Sequence, residues 1–232
     1  MITKRPSEAR GHADHGWLDA HHTFSFASYR DPQFRGFSEL LVLNQDTIEP
    51  ARGFGTHGHE NMEIITYVLD GALGHKDSMG NGSEMRSGDV QLMSAGSGVT
   101  HSEFNVQSDE STSLLQMWVR PAEQGRSPRY EQASFPLAER QGQIRLVVAP
   151  DGRDGALTIG QDACLYAGLL DEGESAQLEL AHGRKGWLHV ARGSLTLNGM
   201  SFGPGDGAAI DAESRLHFEG IHVAEFVFFD LP

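Results

Sequence analysis

The sequence predicts an all-β protein that contains two tandem antiparallel β-barrels and few short helices. Apolar runs of strand length recur along the chain, and Gly, Asn, Asp or Ser residues separate them. No long amphipathic helical pattern interrupts this series, which is typical of a sandwich or barrel. The predicted strands are residues 39–43, 62–69, 90–93, 114–119, 144–149, 165–170, 177–180, 187–190, 194–197, 208–210 and 223–229.

The two halves of the chain resemble each other, and this repeat predicts two barrels. A strand runs into a glycine turn at residues 68–73, Val-Leu-Asp-Gly-Ala-Leu, and again at residues 190–195, Val-Ala-Arg-Gly-Ser-Leu. A Gly-Asp pair then precedes the next strand in each half, at residues 88–89 and 205–206. Two matches in the same order indicate a duplicated barrel.

The segments outside these strands set the expected domain boundaries. The first 35 or so residues are polar, and we expect loops that pack onto a sheet through Trp17, Phe24, Phe26 and Tyr29. Residues 120–143 contain several Pro and Gly residues, so we expect a connection there, with a short helix near residues 136–140. The expected division is therefore an N-terminal barrel with its extension over residues 1–125, a linker over 126–143 and a C-terminal barrel over 144–232.

The charge composition narrows the classes of partner. The chain has 32 acidic and 18 basic residues among 232, a formal charge of -14, which argues against binding a nucleic-acid backbone or an anionic membrane surface. The single cysteine, Cys164, cannot form an internal disulfide and lies in an apolar strand, so we expect it to be buried and inert. No apolar leader or spanning segment is visible, and we expect a cytoplasmic monomer.

Two histidine-containing segments carry the pattern of a metal site. His57 and His59 lie at i, i+2 just after a glycine, and His101 and Glu103 repeat that spacing after a second glycine turn. Strand residues at i and i+2 share a face, so neighbouring strands would bring all four side chains into the barrel interior. Three neutral imidazoles and a carboxylate suit iron, copper, nickel, manganese or zinc, and no thiolate is present to favour a soft metal.

These segments resemble known motifs. The run from Gly53 to Gly71 resembles the first cupin motif, and residues 88–105 resemble the second, which ends here in Gly98, His101 and Asn105. The chain is more specifically similar to the bacterial pirin family between about residues 10 and 130. The matching runs are residues 11–19 (Gly-His-Ala-Asp-His-Gly-Trp-Leu-Asp), 22–26 (His-Thr-Phe-Ser-Phe), 75–81 (His-Lys-Asp-Ser-Met-Gly-Asn) and 93–96 (Met-Ser-Ala-Gly).

The pirin resemblance implies a bicupin, with two barrels of the double-stranded β-helix or jelly-roll type. It implies one metal in the N-terminal barrel, usually iron and here Fe(II), whose ligands are His57, His59, His101 and Glu103. The glutamate of the first cupin motif falls at Glu63, to which we assign a structural role or a role in supporting the ligands. In the second half the aligned positions are Glu179, Ala181, Phe218 and Gly220, so we expect a degenerate barrel without metal.

The same resemblance implies an activity. Bacterial pirins are associated with quercetin 2,3-dioxygenase activity, in which a flavonol hydroxyl binds the metal and loses its proton, and dioxygen opens the ring with loss of carbon monoxide. We expect Glu103 to be both a ligand and the general base. An alternative is a metal-dependent or redox-sensing regulatory protein that binds protein partners, as described for eukaryotic pirins. An isomerase or epimerase of the cupin type is a third, less favoured, interpretation.

Two further groups of residues have open roles. His75 and Asp77 share a strand face by spacing, and could orient metal ligands or stabilise a hairpin. His12, His15, His21 and His22 form a second dense histidine cluster. Their irregular spacing in an expected loop favours solvent-exposed or packing roles over a second metal.

Overall fold

The computed structural model describes the whole chain from Met1 to Pro232, and β-strands dominate it, which confirms the all-β fold. The expected short helix is α1 (Leu137–Arg140), and Ser7–Ala9 and Arg153–Gly155 are single 3-10 turns. The strands are β1 (Ile2–Arg5), β2 (Gly11–Asp14), β3 (Leu18–His22), β4 (Leu40–Ile48), β5 (Gly53–His59), β6 (Glu63–Asp70), β7 (Ala72–Asp77), β8 (Gly82–Arg86), β9 (Asp89–Ser94), β10 (Val99–Asn105), β11 (Thr112–Val119), β12 (Arg129–Ser134), β13 (Gln143–Ala149), β14 (Leu157–Thr158), β15 (Cys164–Leu170), β16 (Ser175–Glu179), β17 (Lys185–Leu197), β18 (Met200–Phe202), β19 (Gly207–Asp211) and β20 (Arg215–Leu231).

The chain forms two compact units. The N-terminal unit contains Gly11–Ser134 and Leu157–Gln161, and the C-terminal unit contains Met1–Arg10, Phe135–Ala156 and Asp162–Pro232. The N-terminal unit has a seven-stranded sheet in the order β12-β9-β6-β11-β4-β3-β2 and a four-stranded sheet in the order β5-β10-β7-β8. The two sheets enclose a buried apolar core that includes Ile48, Val68 and Leu114 from the first sheet and Leu73 and Met85 from the second.

A row of polar side chains crosses the inner face of the seven-stranded sheet. Its members are direct cross-strand neighbours on five adjacent strands, so they share one face of the sheet. They are His22, Asn44, Gln116, Thr66 and Gln91. Four of them are buried, and Gln116 is half-buried. The row gives an otherwise apolar interior a polar layer.

The C-terminal unit is built around two long strands. β17 pairs with both β19 and β20, and β20 continues to β15 and then to β13. The pairing of β17 with β20 shifts register three times, and one of these shifts lies beside Gly193, whose φ is +64°. The predicted strands 187–190 and 194–197 are therefore a single bulged strand, because the glycine bends the strand without ending it. The interior contains a large apolar cluster that includes Phe218, Phe226 and Phe228, and His189 is also fully buried in this unit.

The observed division differs from the expected one at residues 1–10, in the expected linker and at Leu157–Gln161, which belongs to the N-terminal unit. Residues 1–10 belong to the C-terminal unit, because β1 adds an edge strand to β19, with Ile2 opposite Ile210. The expected linker contains β12, which pairs with β9 in the N-terminal unit. The expectation of loops before residue 35 was also wrong for β2 and β3, which form a hairpin. This hairpin lies at the sheet edge, with β2 as the edge strand, and its polar outer face hides it from a search for apolar runs.

The structure also bears on the predictions for the cysteine and for membrane-spanning segments. Cys164 is a free, buried cysteine, as predicted. No helix in the structure is long enough and apolar enough to cross a membrane.

Candidate metal centre

Strands β5 and β10 bring the predicted histidines together. The two strands are antiparallel neighbours, with His101 opposite His57 and Val99 opposite His59. The predicted i, i+2 arrangement on one face is confirmed, since the His57 and His59 rings lie 4.8 Å apart between centroids. The His101 ring lies 4.4 Å from that of His57 and 4.9 Å from that of His59. Three imidazoles therefore converge on one point.

The ring nitrogens of these histidines face each other. Nε2 of His57 and Nε2 of His101 are 3.0 Å apart, and the ligand atoms of all three histidines lie within 4.8 Å of one another. Nδ1 of His57 donates to the carbonyl oxygen of Gly55 at 2.8 Å, which leaves Nε2 with a free lone pair in the neutral ring. The backbone thus selects the tautomer that can bind an ion.

Burial keeps the imidazoles of His59 and His101 neutral. Desolvation lowers the pKa of His101 to about 3, and the neighbouring His57, His59 and His75 add to the effect. Desolvation and His57 lower the pKa of His59 to about 4. Neutral imidazole is the form that binds metals, so near neutral pH these rings are ready to act as ligands.

Glu103 lies beside this cluster and points into the polar row. Its Oε2 accepts a hydrogen bond from Nε2 of Gln116 at 2.9 Å, and its Oε1 accepts a longer one from Oγ1 of Thr66 at 3.4 Å. Burial raises the pKa of Glu103, and the hydrogen bond from Gln116 counters that effect. Glu103 groups most tightly with His101 and His75, with ligand atoms within 4.8 Å. His101 is shared by both groups.

A glycine lets the two ligand strands approach closely. The β5–β10 pairing shifts register between His101 and Glu103, so that Glu103 lies opposite Phe54. At Gly53, one step before, a Cβ atom would collide with the backbone of Glu103 and Phe104. Only glycine fits at this point of the first motif.

Three other residues singled out from the sequence lie nearby. The buried Glu63 accepts a hydrogen bond from Oγ of Ser94 at 2.7 Å. Nε2 of His75 lies 3.3 Å from Oδ2 of Asp77, and the His75 ring is 5.3 Å from that of His101. Burial pushes the pKa of Asp77 up, but hydrogen bonds from Asn81, His75 and Met79 outweigh it and leave the pKa below its usual value.

The polar partners of Glu103 were not among the predicted site residues. Gln116 and Thr66 orient the carboxylate, and Asp46 is a second buried carboxyl group close enough to interact with it electrostatically. Burial raises the pKa of Asp46 to about 8, and the charges of Glu103 and Asp19 contribute. The available signal was a polar residue at the centre of an apolar strand, as in Leu-Leu-Gln-Met-Trp at residues 114–118.

An open groove reaches Trp118, whose ring contacts His59. It has a volume of about 860 Å³, and its residues include Phe26, Met62 and Trp118 with Arg30 and Arg35. The Trp118 ring lies 4.9 Å from that of His59 and 5.4 Å from that of Phe26, edge to face in both cases. Trp118 therefore joins the groove to the histidine cluster. This arrangement can hold a divalent ion beside a space large enough for an aromatic molecule.

Comparison with family models covers most of the chain. The model of the family described as Pirin matches residues 3–119, and the model described as Quercetinase C-terminal cupin domain matches residues 146–231. Among curated proteins, the chain is 47% identical to quercetin 2,3-dioxygenase of Escherichia coli K12, over 100% of this chain and 99% of that protein. It is also 41% identical to a pirin-like protein of Caulobacter vibrioides, over 99% of both.

Solved structures agree with this assignment. The bacterial pirin YhhW from E. coli in complex with nickel(II) superimposes with a TM-score of 0.95 at 47% identity, over 100% of this chain and 99% of that one. A quercetin 2,3-dioxygenase from Acinetobacter baumannii, at 22% identity, shares the fold with a TM-score of 0.76, over 91% of this chain and 80% of that one. The motifs, the two barrels and these similarities together establish that the chain belongs to the pirin family.

Proposed function

We propose that this protein is a metal-dependent dioxygenase of the pirin type that cleaves a flavonol such as quercetin. The reaction is 2,3-dioxygenation with release of carbon monoxide, at a single ion in the N-terminal unit. The name and the nickel complex of the E. coli relatives support a metal-dependent oxygenase. The observation that carries the proposal is the convergence of three imidazoles beside a buried carboxyl group, next to a groove that Trp118 lines.

The donor set fits a divalent transition metal. Bonds of about 2.1 Å at right angles place two ligand atoms about 3.0 Å apart. The Nε2 atoms of His57 and His101 have that separation of 3.0 Å. In this proposal His57, His59, His101 and Glu103 hold the ion, which is Fe(II). When bound, the ion supplies Lewis acidity toward the flavonol hydroxyl and a redox partner for dioxygen.

Glu103 is the residue that moves a proton. Gln116 fixes its Oε2 atom, whereas Oε1 has only the 3.4 Å contact with Thr66. The more weakly held Oε1 accepts the proton of the substrate hydroxyl. Because burial raises the pKa of Glu103, its carboxylate is a stronger base than an exposed glutamate.

The groove positions the remainder of the substrate. Phe26, Met62 and Trp118 provide an apolar and aromatic wall against which a flat ring system can pack. Arg30 and Arg35 line the same groove, and their guanidinium groups suit the acidic phenolic hydroxyls of a flavonol. Trp118 belongs to this wall and also contacts His59, so a ring packed against Trp118 lies close to the ligand cluster.

The decisive variant is Glu103→Gln, which keeps the shape of the side chain but removes its basicity. We expect a loss of about 100-fold or more in oxygen uptake with quercetin, since general-base catalysis contributes that much. A large part of the iron should remain bound, which elemental analysis after anaerobic purification checks. Glu63→Gln is the matched control, because Glu63 is a buried carboxyl group whose hydrogen-bond partner is Ser94 and not a proposed metal ligand. It should leave turnover near that of the parent.

Two results would contradict the proposal in different ways. Unchanged turnover in Glu103→Gln would remove Glu103 from the mechanism. An iron-loaded parent protein without oxygen uptake on any flavonol would refute the oxygenase and favour the regulatory alternative.

A further inference from the structure

The N-terminal unit carries a second group of metal-ligand side chains on its outer surface, at the edge of the seven-stranded sheet. β2 is the edge strand and pairs with β3, which places His12 directly opposite His21. Leu18, Ala20 and His22 point inward along β3, so Asp19 and His21 point outward. His12, Asp19 and His21 therefore share one exposed face. The hairpin produces this arrangement, which the irregular spacing along the chain conceals.

The ligand atoms of this group are close together. Oδ2 of Asp19 lies 3.3 Å from Nε2 of His12, and Oδ1 lies 3.1 Å from Nδ1 of His21. The two imidazole rings are nearly parallel, with centroids 4.5 Å apart and an interplanar angle of 22°. All three ligand atoms lie within 4.8 Å of one another. The carboxylate thus bridges two rings that already face each other.

These separations match a small tetrahedral ion. With bonds of about 2.0 to 2.1 Å, tetrahedral geometry places neighbouring ligand atoms about 3.3 Å apart. The two distances from Asp19 are close to this value, 3.3 Å from Oδ2 and 3.1 Å from Oδ1, so an ion bound through one of these oxygens requires the carboxylate to turn. Two imidazoles and a carboxylate suit zinc and its neighbours nickel and copper. Asp14 lies opposite Asp19 in register and offers a further oxygen on that face.

The group is open to ions from solvent and separate from the interior centre. The side chains of His12, Asp19 and His21 are 51%, 50% and 36% exposed. None of them belongs to the interior set of His57, His59, His101 and Glu103. An ion here would tie the edge strand β2 to β3 through side chains on both strands, in addition to their backbone hydrogen bonds.

We propose that His12, Asp19 and His21 form a second divalent-metal site, of the zinc type, which clamps β2 onto β3 at the sheet edge. The site is independent of the oxygenase activity. It gives the protein two ions per chain under metal-replete conditions, one in the barrel interior and one on its surface.

The test is a Zn²⁺ titration of metal-stripped protein followed by calorimetry. Wild type should bind two equivalents, and H12A/H21A should bind one. In the background H57A/H101A, which lacks the interior set, one equivalent should remain, and adding H12A should weaken it by about tenfold or more. H15A is the matched control, because His15 is an exposed histidine of the same segment outside the cluster. H15A should bind the same number of Zn²⁺ equivalents as wild type, with the same affinity.

A second readout does not depend on the interior variants folding. Saturating Zn²⁺ should slow amide hydrogen exchange in β2 of wild type and of H15A, but not in H12A/H21A. Any of three results would overturn the proposal. Wild type could bind only one equivalent of Zn²⁺, or H12A/H21A could bind as much Zn²⁺ as wild type. The third is an equal rate of amide hydrogen exchange in β2 with and without Zn²⁺.

Discussion

The two units share an architecture and a repeat, but their interiors are opposites. The N-terminal unit turns histidines, a glutamate and a polar row inward, whereas the C-terminal unit fills its interior with phenylalanine. Phe218 stands where the repeat aligns His101, and its ring stacks on Phe226 at 5.3 Å and meets Phe228 edge to face at 5.7 Å. The barrel framework therefore does not determine the chemistry. The side chains at a few inward strand positions decide whether a barrel holds an ion or only a core.

The buried titratable groups differ in the same way. In the N-terminal unit, burial raises the pKa of Asp46 to about 8, so a carboxyl group is held neutral. In the C-terminal unit, burial lowers the pKa of the fully buried His189 to about 3, and the charge of Arg10 adds to this. Each group is kept uncharged by the low polarity around it, but the two respond to pH in opposite directions.

The largest expected difference between the units is in metal binding. His101→Ala should remove the interior ion and reduce oxygen uptake with quercetin by about 100-fold or more. His217→Ala, next to the aligned Phe218, should leave both unchanged, because His217 is an exposed residue. Elemental analysis and an oxygen electrode measure the two quantities. Equal losses in both variants would break the assignment of the chemistry to one unit.

The next effect concerns the apolar interior. Phe218 is fully buried, and Phe218→Ala should lower the free energy of unfolding by about 3 to 5 kcal/mol, through lost burial and a cavity. Denaturant titration of the variant and the parent measures this. Phe104→Ala is the control, because the Phe104 side chain is 41% exposed. A loss below about 1 kcal/mol for Phe218→Ala would mean that this interior is not tightly packed.

A smaller expected difference between the units is the pH dependence of their contributions to the free energy of unfolding. Folded Asp46 remains protonated up to about pH 8, whereas an unfolded aspartate ionises near its ordinary value, so stability from this group falls as pH rises between those values. As pH rises from 5 to 7, the free energy of unfolding of Asp46→Asn should therefore increase relative to that of the parent, by at most about 3 kcal/mol. His189 has the opposite sign, since its folded pKa is depressed. As pH falls from 7 to 5, the free energy of unfolding of His189→Gln should increase relative to that of the parent, by about 2 kcal/mol.

Chemical denaturation of the metal-free proteins over this pH range measures both differences. Parallel pH profiles for Asp46→Asn and the parent would show that Asp46 has an ordinary pKa in the folded protein. The same outcome for His189→Gln would show that His189 is accessible to protons.

Much of the site could be predicted because it depends on local spacing. His57 with His59, and His101 with Glu103, share faces by the two-residue period of a strand, and this required no knowledge of distant contacts. The polar row could not be predicted in the same way. Gln116, Thr66 and Gln91 become neighbours only because β11, β6 and β9 are adjacent in the sheet, and strand order is not visible in local sequence.

Parts of the fold were hidden for a related reason. β1 and the β2–β3 hairpin lie at sheet edges, where one face is polar and the apolar signal is diluted. The long strand β17 was predicted as two strands because a glycine with a left-handed conformation signals a turn more often than a bulge. Sequence patterns thus located the buried strands well, and the edges and irregularities poorly.

The pairing of β1 with β19 has a consequence for synthesis on the ribosome. Ile210, the partner of Ile2, is added more than two hundred residues after it. Residues Gly11–Ser134 can emerge and fold while β1 still has no β19 with which to pair. The order in which these strands dock therefore differs from their order along the chain, and β1 is among the last of them to be docked.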